Sequence, residues 1–527
     1  MPKVLISDKL SPAAVEIFRK RGLEVDVRTG LAPADLRAII ADYDGLAIRS
    51  ATKVTREVLQ AADNLKVVGR AGIGVDNVDI KTATARGVVV MNTPYGNAIT
   101  TAEHAVAMMF ALARQIPEAS ASTKAGKWEK SRFMGVELTG KTLGIIGCGN
   151  IGSIVANRAI GLKMKVIASD PYLTAKHALE LGVEKVELDD LLARADFITL
   201  HTPLTESTRN ILSREALAKT RKGVRIVNCA RGGLVDEAAL AEMLTAGHIA
   251  GAALDVFAVE PAKENPLFAL PNVVCTPHLG AATTEAQENV ALQVAEQMSD
   301  FLLTGAVTNA LNMPSVSAEE APRLKPYMEL CRQLGAFAGQ LTAAQGQEMS
   351  AISIEYEGAV ARLNTRPLTA AALAGLLGPL MSGANMVNAP VLAAERGIEV
   401  SETVHDRQSE YQSRVRITVT TPKQARTVAG TLFAGRPRLV EIKGIPVEAD
   451  FAPHMLYVTN QDKPGFIGRF GATLSGAGIN IATFHLGRAE AGGDAICLVS
   501  LDEAVPEDVL EMVRTLPLVV HAVALNF

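Results

Sequence analysis

The stretch Thr142-Leu143-Gly144-Ile145-Ile146-Gly147-Cys148-Gly149-Asn150-Ile151-Gly152 decides the reading of this chain. Leu143 to Ile146 is a short apolar run of the kind that forms a buried parallel strand. It passes straight into Gly147, Gly149 and Gly152, the spacing of a dinucleotide-binding turn. There Gly147 makes the tight turn, Gly149 lets a pyrophosphate approach the backbone, and Gly152 lets the next helix pack on the strand. A helix starting near Asn150 directs free N–H groups and the positive end of its dipole at the phosphates. Lys165 to Ser169 reads as the next strand, closed by Asp170, about 20 residues on, where a carboxylate accepts hydrogen bonds from an adenosine ribose. Asp170 repels a 2′-phosphate and no arginine follows it, so NAD is expected rather than NADP. The competing reading is a structural strand–turn–helix with a solvated aspartate.

Outward from this stretch, 527 residues exceed one ordinary domain and fit three or four. A hydrophobic share of 48% with 20% charged residues describes a globular protein with a large core. The formal charge of −4 gives no reason to expect nucleic acid or an anionic membrane as a partner. Cys148, Cys229, Cys275, Cys331 and Cys497 are scattered, without the spacing of a disulfide or zinc framework. They read as buried residues in a reducing compartment, and no metal is expected. The start of the chain runs into the strand Val4 to Ser7 with no leader pattern, and a cytoplasmic location is expected.

Strand and helix alternate over residues 1 to about 97 and again from Leu143 to about Gly280, an α/β pattern. Ile99 to Arg114 reads as a long crossing helix capped by Thr100 or Thr101, and Glu118 to Lys141 as a polar arm. Pro314 marks a boundary. Beyond it, strand-like Ala351 to Tyr356 and Arg414 to Thr420 bracket helical Thr369 to Leu380, a compact α/β unit of its own. Met455 to Leu525 reads βαββαβ, a ferredoxin-like order.

Strand ends in the middle of the chain carry the chemistry. Arg231, Glu260 and His278 follow three successive strands. Oxidation of a hydroxy acid needs a base, and an imidazole such as His278 titrates near neutral pH. Glu260 fits as its partner, and Arg231 as a bidentate ligand for the acid's carboxylate. Arg49 and Arg70 stand at strand ends, the second before the glycine-rich loop Gly72 to Gly74, whose backbone can hold a carboxylate. Taken singly, each residue reads equally well as a solvated loop residue.

These residues, with Val68-Gly69-Arg70-Ala71-Gly72-Ile73-Gly74-Val75-Asp76-Asn77-Val78-Asp79, Asn228 to Asp236, Gly251 to Val256 and Pro277 to Ala281, resemble the D-isomer-specific 2-hydroxyacid dehydrogenases. The resemblance runs through residues 1 to 312. It implies two Rossmann-like doubly wound lobes, a substrate lobe of 1–97 plus 282–312 and an NAD lobe of 98–281. It implies catalysis by Arg231, Glu260 and His278. Cofactor contacts are implied at Gly147, Gly149, Asn150, Ile151, Gly152, Asp170, Thr202, Cys229, Ala230, Asp255 and Gly280. Arg49 and Arg70 are implied near a substrate phosphate, and Gly74 near the carboxylate. Residues 315–450, through Asn385 to Pro390 and Glu395-Arg396-Gly397, resemble the intervening domain of the long, 3-phosphoglycerate-oxidising members, and 454–527 resembles an ACT regulatory module. A homotetramer is implied, with L-serine as effector at Asn460, Asp462 and Asn480, at an interface between paired modules. Two readings compete with NAD-dependent oxidation of 3-phospho-D-glycerate: a glyoxylate or hydroxypyruvate reductase, and a non-catalytic NADH-sensing scaffold on the same fold. Asp462 also reads as a plain cap of the helix after Pro464.

Overall fold

A computed structural model describes residues 1–316, 319–406 and 410–527. Four sheets account for its strands, with five, seven, six and four strands in chain order. The first two are wholly parallel. Their apolar strands, such as Gly45–Ile48 and Phe197–Leu200, are buried throughout, as helices on both faces require.

In the seven-stranded sheet, Thr142–Ile146 lies between Lys165–Ser169 and Phe197–Leu200. Strand order therefore reverses beside the glycine-rich turn, and a crevice opens there at the strands' carboxyl ends. Gly147 has φ +89°, and a Cβ at Gly152 would fall 2.1 Å from the Gly147 carbonyl oxygen, so both places demand glycine. The long helix Ala98–Arg114 packs against this sheet through Ala105, Met109 and Leu112. Its cap is Asn97 without a side-chain bond; the Thr101 hydroxyl instead donates back to the Asn97 carbonyl. The segment read as a polar arm includes the helix Ile116–Lys124, which buries no residue and so left no apolar period to read.

The helix Thr284–Thr304 returns to the first sheet, where Val290, Val294 and Met298 join Val4, Ala47 and Val67 in one core. Contact is close enough that a Cβ on Gly69 would lie 2.2 Å from the Met298 sulfur. This return places the second crevice wall opposite the first.

Past residue 316 the sequence reading was least complete. Four further strands stand there, Glu399–His405, Ala425–Phe433, Arg436–Ile442 and Ile445–Asp450. Their turns are Ala434-Gly435 and Lys443-Gly444, all four with positive φ, the backbone that two-residue hairpins favour. The alanine-rich stretch is a helix pair, Ala321–Ala343 on Arg366–Leu377. Its small residues bring the backbones together: a Cβ on Gly375 would lie 2.0 Å from the Arg332 carbonyl oxygen. One face of the βαββαβ sheet shares this core through Tyr457, Ile496, Leu498 and Val523, with Phe337 meeting Tyr457 edge-on at 5.8 Å. The intervening unit is therefore not separately cored. Among the cysteines, Cys275 is exposed rather than buried. Among the described residues no helix is long and apolar enough to cross a membrane.

Candidate active site

His278 sits in the loop after Val273–Cys275 with φ +56°, a left-handed conformation that histidine tolerates better than most residues. The loop is pinned from beneath by Asp255, which is fully buried. Its carboxylate accepts from the Thr276 hydroxyl (2.6 Å), the Leu279 N–H (2.7 Å) and the Gly280 N–H (2.8 Å), and His104 Nε2 lies 3.2 Å away. Although burial alone would raise it, the His104 and Thr276 contacts and the Leu279 N–H hold the carboxyl below its usual range. So Asp255, expected as a cofactor contact, spends its carboxylate on the loop that carries the histidine. Cys229 brings its sulfur within 4.8 Å of ligand atoms on His104 and Asp255, but burial pushes its thiol well up, against the thiolate a metal needs.

Glu260 Oε2 lies 2.7 Å from His278 Nδ1, and its other oxygen accepts from the Phe257 N–H at 3.0 Å. The carboxylate is thus oriented by backbone, and it orients the ring so that Nε2 is the free atom. Both side chains are partly exposed at the crevice.

Arg231 is held at several points. Its backbone carbonyl accepts from the Asn228 side-chain amide at 2.9 Å, its Nη1 donates to the Ala230 carbonyl at 2.7 Å, and its Nε donates to Asp76 at 2.9 Å. Asp76 comes from the other lobe and was missed at the sequence level, where it was only one letter of a motif. The guanidinium also presses on the expected carboxylate loop: a Cβ on Gly74 would fall 1.6 Å from Nη2.

Arg70 is unsatisfied at one atom. Its Nε is buried with no partner among the described residues. Burial first, then the nearby Arg231 and Arg49 charges, push its guanidinium down to about 10, against the opposing pull of Asp76 and Asp8. It remains charged near neutral pH, and an arriving anion relieves the penalty. Arg49 anchors to the Lys9 carbonyl at 3.3 Å. Arg49, Arg70, Gly74 and Arg231 thus stand together, and the Glu260–His278 pair joins them through Gly232, where a Cβ would fall 1.9 Å from the carbonyl oxygen of Phe257, the residue whose N–H Glu260 holds.

A dinucleotide fits the remaining residues. Gly149 has nothing within 4 Å of where a Cβ would stand, which leaves its backbone open to the close approach a pyrophosphate makes. Asn150 starts the helix Asn150–Gly161, with Gly152 buried and Ile151 half-buried behind it. Asp170 accepts from the Cys148 N–H (2.7 Å) and the Tyr172 N–H (2.7 Å). It closes the turn and keeps lone pairs for ribose hydroxyls. Thr202, Cys229 and Ala230 line the ends of the neighbouring strands, Thr202 next to His201, which burial of its ring pushes down to about 4 and so keeps neutral. Replacing Asp170 with alanine is expected to raise the ratio of NADP to NAD turnover about tenfold, because a repelling charge is lost. An unchanged ratio in a two-cofactor assay would remove Asp170 from cofactor choice.

Asn460 and Asp462 lie at one end of the four-stranded sheet and Asn480 at the other. Asn460 pairs with Ala495, whereas Ile481 pairs with Leu501, a separation of about 20 Å along the strand. Asn460 is buried with its Oδ1 unpartnered, and Asn480 donates to Asp502. Asp462 caps no helix; Gly465 holds that position. Asp462 accepts instead from Arg488 (2.9 Å) and the Gly492 N–H (3.0 Å).

Comparison with known proteins accords with this geometry. Residues 106–280 match the NAD-binding domain of the D-isomer-specific 2-hydroxyacid dehydrogenases, 323–443 the D-3-phosphoglycerate dehydrogenase intervening domain, and 454–517 the ACT domain. D-3-phosphoglycerate dehydrogenase of Methanocaldococcus jannaschii is 43% identical over 530 residues, covering 100% of both chains. That of Bacillus subtilis is 43% identical over 98% of each. Among solved structures, an NAD-dependent formate dehydrogenase from Staphylococcus aureus in complex with NAD superposes with a TM-score of 0.53 at 29% identity, covering 60% of this chain and 100% of that one. A likeness that extends over the whole sequence, and not merely over its dinucleotide turn, makes this chain a member of the D-isomer-specific 2-hydroxyacid dehydrogenase family.

Proposed function

We propose that the chain oxidises 3-phospho-D-glycerate to 3-phosphohydroxypyruvate with NAD, the entry to phosphorylated serine synthesis. The observation that carries this is the Arg70 side chain, whose Nε is buried without a partner and whose charge is disfavoured by the neighbouring Arg49 and Arg231. A substrate with a carboxylate alone leaves such a cluster under-neutralised; one with a phosphate as well does not.

In this reading Arg231 and the Gly74 backbone hold the carboxylate, while Arg49 and Arg70 hold the phosphate. His278 Nε2 then faces the C2 hydroxyl and takes its proton, and Glu260 at Nδ1 steadies the imidazolium that results. Bound NAD supplies the hydride acceptor; Gly147, Gly149 and Asp170 hold its pyrophosphate and ribose.

L-serine is proposed as effector at Asn460, Asp462 and Asn480. Since Asn480 stands at the far end of the sheet from the other two, one small amino acid reaches all three only between two modules. A homotetramer with such pairing and a cytoplasmic location complete the proposal. Initial rates with NAD and 3-phosphoglycerate, beside glycerate, D-lactate and 2-hydroxyglutarate, test the substrate. Preference for the phosphorylated acid is expected; equal rates on glycerate would remove Arg49 and Arg70 from substrate binding.

A further inference from the structure

We infer that Asp76 is a positioning residue for the reaction: reaching across the cleft from the substrate lobe, its carboxylate fixes the direction from which Arg231 meets the substrate's own carboxylate. The inference rests on the dehydrogenase reading of the site.

Both ends of the contact are held before any ligand arrives. On the substrate-lobe side, the loop carrying Asp76 is tied down along its length. Its Gly72 N–H donates to Thr93 Oγ1 (2.7 Å), and its Ile73 carbonyl accepts from Asn92 (2.7 Å). Asn77 donates to the carbonyls of Arg49 (2.7 Å) and Thr52 (2.6 Å). Asp79 then caps the helix Ile80–Ala85. On the other side, Asn228 grips the Arg231 backbone at 2.9 Å. Little freedom remains to be lost when the two side chains meet.

The donors of Arg231 are thereby allotted. Nε goes to Asp76, one Nη1 hydrogen goes to the Ala230 carbonyl, and the Gly74 backbone closes off one side of Nη2. With Nε taken by Asp76, the Nε–Nη2 edge has one donor already spent, and the edge left for a bidentate carboxylate is the Nη1–Nη2 end. Without Asp76 the fork is free to present either edge, and a carboxylate bound by the wrong one carries its C2 hydroxyl away from His278. Stability is not the purpose, since Asp76 is 63% exposed and exposed ion pairs contribute little to folding. The same contact joins the two lobes over the cleft.

The experiment compares full-length wild type with Asp76→Ala and Asp76→Asn, measuring kcat, KM, NADH affinity and melting temperature. Asp76→Ala is expected to raise the KM for 3-phosphoglycerate about tenfold or more, with a smaller change in kcat and unchanged NADH affinity and melting. Asp76→Asn, which keeps an oxygen to accept from Nε, is expected to recover most of the loss. A wild-type KM in Asp76→Ala overturns the inference, and so does a loss shared equally by both variants with weaker NADH binding or lower melting. The substrate reading fails separately: if wild type prefers a different 2-hydroxy acid, the KM ratio for that acid still reports on Asp76. Absence of turnover on every acid overturns both.

Discussion

Replacing His278 with alanine is expected to lower kcat by about a hundred- to ten-thousand-fold while NADH binds as before. Positioned proton transfer contributes rate of that order, and in the alanine variant nothing else stands ready to take its place. Glu260 is 2.7 Å from the ring and oriented by the Phe257 N–H, too far back to reach the hydroxyl that the ring's Nε2 faces. NADH affinity should survive because the nucleotide cradle is built from Gly147 to Gly152 and Asp170, on other strand ends. Fluorescence titration with NADH beside steady-state turnover checks both halves. A near-wild-type rate would remove His278 from proton transfer; a lost NADH signal would show that the loop, not the ring, had been damaged.

The second large effect is expected at Arg70, and its sign differs between the empty and the loaded protein. Arg70→Met removes a charge that burial and two neighbouring arginines disfavour, with its Nε buried and unpartnered, and leaves an apolar side chain of similar length. Uncompensated buried charge costs stability, so the empty variant should melt no lower than wild type. With substrate the order reverses. Wild type gains the charge-assisted bonds and their stabilisation by mass action, whereas the variant should show a KM raised about 10- to 100-fold and little thermal shift with 3-phosphoglycerate. Melting curves with and without the acid, read beside KM, decide it. A variant that melts well below wild type without ligand, with unchanged KM, would make Arg70 a structural residue.

Arg49 and Arg70 were legible as strand-end arginines, each with an equally good solvated reading, and only the resemblance placed them near a phosphate; the fold adds that their parallel strands, paired Ile48 to Arg70, end side by side. Asp76 was silent, since its partner Arg231 lies on another lobe, 155 residues away. Asp255 was legible as a strand-end acid, but its service to the His278 loop follows from hydrogen bonds to Leu279 and Gly280 that only the closed turn creates.

Local rules carried the rest. The period of buried strands and the three glycines determined the parallel α/β architecture, because a turn with φ +89° at Gly147 and a backbone contact at Gly152 leave no other residue a place. The βαββαβ order at the end of the chain followed from alternation and turns in the same way. Sequence alone failed where burial is shared between distant segments. Of the packed helix pair, Arg366–Leu377 was read nearly in place as Thr369 to Leu380, but Ala321–Ala343 was not, and the core they share continues into Tyr457 and Val523 of the last sheet. Spacing along a chain reports the geometry of one strand or helix; which elements meet, and which charges then face each other without a counter-ion, is set by packing between lobes, and tertiary structure alone decided it.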